Sequence, residues 1–157
     1  MYHTIAFIFG SMIGSFLNVC IVRLPNSQSI VTPRSSCPNC KILIAWYDNI
    51  PILSYFILKR RCRHCGSSIS PRYPIVEFMT ALLSVGLFII FGLSLSYFVY
   101  FAFSSSLIII IFIDAEHRII PDVISLPGII LGFLASFFLP KIDYIGSLYG
   151  IILGGGL

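Results

Sequence analysis

Four cysteines form two matched pairs, Cys37-Pro38-Asn39-Cys40 and Cys62-Arg63-His64-Cys65, with 21 residues between the pairs. Two thiols three apart on a tight turn can both face one metal ion, and two such turns complete a tetrahedron. Pro38 pre-sets the first turn, and Gly66 can take the positive φ that often follows a knuckle. The neighbouring Arg60, Arg61 and Arg63 favour the thiolate form that a metal needs. The chemistry this pattern predicts is a closed four-thiolate zinc site, structural because it keeps no open coordination position. A redox dithiol and disulfides are the competing uses of such pairs. His64 is an alternative ligand, but beside four cysteines it reads as a turn filler. Cys20 lies in an apolar run and reads as a buried small apolar residue.

The second set of reactive residues is acidic. The run 107–113 reads LIIIIFI, and Asp114 ends it, followed by Ala115-Glu116-His117-Arg118-Ile119-Ile120-Pro121-Asp122. A carboxylate at the edge of such a run is costly unless it faces protein or water. Two readings stand side by side: a functional carboxylate, or an interfacial one paired with Arg118 at helical spacing. Asp122 follows Pro121 and precedes an apolar run, which suits a helix N-cap. Pro121 also disfavours helix at Ile120, which puts Asp114 and Asp122 on different helices. Hydrolysis by a carboxylate pair needs two acids near one water, one protonated and one ionised. Asp114 and Asp122 are the candidates, and His117 reads as a solvated interfacial histidine.

These residues must be positioned by membrane helices. Of 157 residues, 57% are hydrophobic and only 10% are charged, which excludes a disordered chain, a coiled coil and an ordinary soluble domain. A bilayer core needs about 20 apolar residues per helix. Candidate spans cover 4–22, 75–92 with Glu77 at its entrance, 97–113 and 123–139, and a fifth starts near residue 144. The first has no basic n-region or cleavage site and is expected to remain as a span. Between the first two spans, residues 23–74 hold eight of the ten basic residues and one acid, Asp48. The positive-inside rule makes that loop cytoplasmic, puts the N-terminus outside, returns Asp114 and Asp122 to the cytoplasmic face and leaves Asp143 outside. A cytosolic loop is reducing, which argues against disulfides.

The expected organisation is an all-α polytopic membrane protein: a first span over 1–22, a small cytoplasmic four-cysteine zinc-binding loop domain over 23–74, and a membrane core over 75–157. The segment 44–55 between the knuckles, rich in aromatic and branched residues, reads as the small hydrophobic body of that domain against the membrane surface. No internal repeat is evident. Net charge is +4, but the bases cluster at one membrane face, so nucleic acid is not an expected partner.

The chain resembles the bacterial prepilin peptidases, also called type IV leader peptidases. The resemblance is carried by Gly14-Ser15-Phe16-Leu17-Asn18-Val19 with Arg23-Leu24-Pro25, by Arg34-Ser35-Ser36 leading into the first knuckle, and by Trp46-Tyr47-Asp48-Asn49-Ile50-Pro51. Ile69-Ser70-Pro71-Arg72-Tyr73-Pro74 with Glu77 after the second knuckle, and the segment from Asp114 to Asp122, add to it. It implies an aspartyl protease of the inner membrane that cuts the basic leader from prepilins or pseudopilins on the cytoplasmic side. It also implies possible N-methylation of the new N-terminus from S-adenosylmethionine, although no glycine-rich cofactor loop is visible. Asp114 matches the family's first catalytic aspartate. Asp48, Glu77 and Glu116 are weak candidates for meeting a basic leader. The second catalytic aspartate of the family lies in a Gly-x-Gly-Asp motif, and Gly154-Gly155-Gly156-Leu157 resembles the approach to it without the aspartate. A lone chain of this extent is therefore expected to have little peptidase activity. Its alternative is an inactive homologue that binds prepilins or only methylates them.

Overall fold

The computed structural model describes residues 1–139 and 144–155; Asp143 and the last two residues lie outside that set. The regular elements of the described residues are all helical, and the loop between the first two long helices adds two isolated β-bridges. The long helices are α1 (Tyr2–Arg23), α3 (Arg72–Phe91) and α4 (Leu95–His117), each long and apolar enough to cross a membrane. A five-residue helix, α2 (Leu53–Ile57), belongs to the loop between α1 and α3. The last two, α5 (Asp122–Ser136) and α6 (Tyr144–Gly155), are shorter apolar helices where the sequence predicts a fourth and a fifth span. At 15 residues, α5 spans roughly 22 Å, short of a ~30 Å hydrocarbon core.

The helices pair through small residues. A Cβ on Gly10 would stand 2.6 Å from the Ser84 Cβ and 2.7 Å from the Ala81 Cα, and one on Gly14 would stand 2.6 Å from the Glu77 Cα. Such contacts are too close for any side chain, so α1 meets α3 backbone to backbone, the small-xxx-small packing of membrane helices. Hydrogen bonds reinforce the seam. The Ser84 hydroxyl donates to the Ala6 carbonyl at 2.7 Å and shares a 2.7 Å bond with the Tyr97 hydroxyl of α4. Asn18 Nδ2 donates to the Tyr73 carbonyl at 3.0 Å.

An apolar cluster of Leu17, Ile21, Val76, Ile109 and Ile113 joins the three long helices near the ends that carry the loop and the acids, and Ile124 of α5 packs on it. Gly92, at φ 61°, ends α3, and Ser94 caps α4 by accepting the Tyr97 N–H. At its far end α4 runs beyond Asp114 to His117, so Asp114 lies inside the helix instead of ending it. Arg118 then terminates it in the left-handed conformation at φ 55°, its N–H returning to the Asp114 carbonyl at 2.8 Å.

Candidate functional site

The cysteine module is built from two copies of one turn. The Cys37 N–H donates to the Ile42 carbonyl and the Lys41 N–H to the Cys37 carbonyl. Twenty-five residues later, the Cys62 N–H donates to the Ser67 carbonyl and the Gly66 N–H to the Cys62 carbonyl. The flanking bridges, Ser36 with Leu43 and Arg61 with Ser68, and the Ile44-to-Ser35 and Ile69-to-Arg60 bonds repeat at the same offset. The sequence reading found no repeat; the signal was present in the spacing of the two pairs. Lys41 and Gly66 occupy equivalent positions at φ 61° and 68°.

These turns bring the sulfurs of Cys37, Cys40, Cys62 and Cys65 within 4.8 Å of one another. Cys37 Sγ and Cys65 Sγ are 3.8 Å apart. A tetrahedral zinc with Zn–S bonds of ~2.3 Å requires sulfur pairs roughly 3.8 Å apart, so the donor set fits this ion. His64 is not part of the cluster. The electrostatic prediction needs correction. The Ser67 hydroxyl and N–H pull the Cys65 thiol down to about 5. Arg63 is engaged elsewhere: it grips Asp48 through two bonds of 2.6 and 2.8 Å and lies over the Tyr47 ring. Cys40 shows the opposite behaviour. The Ile42 N–H favours its thiolate, yet burial and the three neighbouring thiols push it up to about 11. Packed this closely without a cation, the four sulfurs cannot all ionise.

The acidic residues are placed differently. Asp114 is exposed in the last turn of α4, next to the fully buried Ile113. No side-chain hydrogen bond or ion pair joins Asp114 to Arg118, because the left-handed Arg118 turns the chain away from the helical spacing the pairing assumed. Asp122 is also exposed and is the first residue of α5, not its N-cap. Pro121 holds the cap position in extended backbone, and its carbonyl accepts from the Ile124 and Ser125 N–H groups and the Ser125 hydroxyl. The two aspartates thus flank a short connection between helices, as their sequence predicts.

The three acids considered for a basic leader are already engaged. Asp48 holds Arg63. Glu116 takes both of its bonds, 2.5 and 2.6 Å, from Arg72 of α3. Glu77 accepts the Ile52 N–H at 2.7 Å. The sequence reading missed the cleft of about 660 Å³ between the module and the ends of α1 and α3, which Glu77 and Asn18 line.

The comparisons with known proteins agree with this architecture. Residues 8–91 match the bacterial peptidase A24 N-terminal domain, and residues 101–157 match the type IV leader peptidase family. A prepilin leader peptidase/N-methyltransferase of Myxococcus xanthus is 41% identical over 98% of this chain and 46% of its own length. Proteins of the same name from Bacillus subtilis and Dichelobacter nodosus are 40% and 35% identical, over 96% and 94% of this chain and 59% and 61% of theirs. The chain therefore spans about half to three-fifths of the length of these relatives. No solved structure matches. By both family models and by identity across nearly its whole extent, the chain belongs to the bacterial type IV leader peptidases.

Proposed function

We propose that this protein acts in the inner membrane, N-terminus outside, as a prepilin leader peptidase that removes the basic leader of prepilins or pseudopilins at the cytoplasmic face. Asp114 is one of the two carboxylates that hold and activate the attacking water, one ionised to take its proton and the other protonated to polarise the scissile carbonyl. On the family resemblance the partner carboxylate belongs to a Gly-x-Gly-Asp segment, and Asp122 supports the pair from the start of α5. The observation that carries this reading is the setting of Asp114. It is a carboxylate one residue from the core residue Ile113, in the last turn of an apolar helix, free of the ion pair that would make it merely interfacial.

The four thiolates hold a structural zinc, which supplies a rigid cross-link between the two knuckles and no reacting atom. A second activity, N-methylation from S-adenosylmethionine, is proposed from the names of the relatives. The test is leader cleavage of a prepilin by the protein from its native locus in proteoliposomes. Asp114→Asn is expected to lower the rate by at least about 10²-fold, the usual weight of a positioned acid–base group, with zinc content unchanged. A variant within twofold of wild type overturns the role.

A further inference from the structure

The short helix α2 is apolar on two faces, and only one of them has a partner. Ser54, Tyr55 and Leu58 turn toward the cleft and line it. Leu53, Phe56 and Ile57, at i, i+3 and i+4, share the other face. They are 59%, 63% and 67% exposed, and none of them lines the cleft. A zinc-stapled domain surrounded by water gains nothing from three large apolar side chains on one exposed face.

Three cations follow directly. Lys59, Arg60 and Arg61 are all exposed, and none forms an ion pair among the described residues. Lys59 and Arg60 end α2 in the left-handed conformation, at φ 51° and 64°. Their N–H groups return to the Phe56 and Tyr55 carbonyls, the paired closure of a helix C-terminus. Glycine is the usual residue in that conformation, so the chain places cations where backbone freedom alone favours none.

The level at which α2 is held completes the argument. The Leu53 N–H donates to the Pro51 carbonyl at 2.6 Å, closing a three-residue turn around Ile52 at φ 64° and ψ −53°. This rare form of the γ-turn delivers the Ile52 N–H to the Glu77 carboxylate at 2.7 Å. Glu77 is the sixth residue of α3, roughly 7.5 Å along the helix from Arg72. The 20 residues of α3 make about 30 Å, the thickness of a hydrocarbon core with nothing to spare. The start of α2 is thereby pinned at the depth, about 5–10 Å, to which interfacial helices sink. At that level Ile75 and Phe78 of α3 are exposed as well.

From this placement we infer that α2 is an interfacial anchor: Leu53, Phe56 and Ile57 enter the bilayer surface, and Lys59, Arg60 and Arg61 bind the headgroups of anionic phospholipids. The apolar face and the cations form one patch because four residues at most separate Ile57 from the last of them. The anchor holds the cysteine module down against the membrane from which a substrate segment would emerge. It rests on the membrane location in the proposed function and is independent of Asp114 and of the zinc.

The test is photolabelling of the protein from its native locus in nanodiscs of equal parts phosphatidylcholine and phosphatidylglycerol. A diazirine is carried near the glycerol ester of one lipid or the other, and labelled residues are mapped by mass spectrometry. Wild-type residues 53–57 are expected to be labelled at least about fivefold more from phosphatidylglycerol, the weight of one basic residue at an anionic surface, and the preference should fall as salt is raised. Replacing Lys59→Gln, Arg60→Gln and Arg61→Gln together should remove the preference and leave labelling of α3 unchanged. Labelling of α3 with none on residues 53–57 overturns the anchor while the membrane location stands, and so shows that protein covers this face. Equal labelling from both lipids overturns the role of the cations. Cross-linking of α2 to a second copy in place of lipid overturns the anchor in favour of an interface between chains. Absence of label from α3 as well defeats the membrane location, and the anchor with it.

Discussion

The cysteine module and the acidic end of α4 are built on different plans, although α3, which follows the module in the chain, is tied to that end of α4 by the Arg72–Glu116 ion pair. In the module, four sulfurs converge within 4.8 Å, and its acid, Asp48, is tied down by Arg63. At the end of α4, Asp114 and Asp122 are exposed on two helices, each without a side-chain partner among the described residues. The first arrangement is complete in itself, as a structural metal site should be. The second has the open character of a site that still has to receive a substrate and a partner carboxylate. Two sets of reactive side chains therefore differ in their surroundings, and the proposed function assigns them different roles.

The largest effect that would break this contrast lies in the module. Cys62→Ser should abolish stoichiometric zinc binding, measured by elemental analysis. It should also make the loop between α1 and α3 protease-sensitive, since structural zinc contributes on the order of 10 kcal/mol to small domains of this kind. The three-helix packing should survive, as judged by helical circular dichroism. Next comes the seam that holds the module over the bundle. Gly14→Ala puts a Cβ 2.6 Å from the Glu77 backbone. It should lower thermal stability in detergent by about 1–3 kcal/mol, the usual range for overpacking, with Gly10→Ala close behind.

Asp122→Asn sharpens the other side of the comparison. With no cap bond to lose, it should leave melting within a degree or two while lowering leader cleavage less than Asp114→Asn does. The smallest effect is expected between the two knuckles. Lys41→Gly relieves a left-handed residue and should raise the stability of the zinc-loaded module by up to about 1 kcal/mol, whereas Gly66→Ala should lower it by a similar amount.

Much of this molecule is legible in its sequence because its strongest constraints are local. Apolar runs give the three long helices, and the spacing of Cys37, Cys40, Cys62 and Cys65 gives the sulfur cluster. What escapes is set by contacts between distant segments or by backbone detail. Gly10 and Gly14 read as ordinary interruptions of an apolar run, although their i, i+4 spacing is a packing signal in a membrane helix. Arg118 looks like an ion-pair partner for Asp114 until its φ of 55° removes it from the helix. Pro121 takes the cap position that Asp122 is expected to hold, because its carbonyl collects the first-turn donors. Glu77 is visible as an acid at a span entrance. Its bond to Ile52 depends on a strained turn that no periodicity reveals.

The division of labour is tested most directly by exchanging the metal. Cadmium favours the same four thiolates and fills the same closed site, but it differs from zinc as a Lewis acid. Leader cleavage by the cadmium-loaded protein should proceed within about twofold of the zinc-loaded rate, because a closed thiolate site reaches no reacting atom. A rate that follows the metal would contradict the account and move the chemistry from Asp114 to the cysteine module.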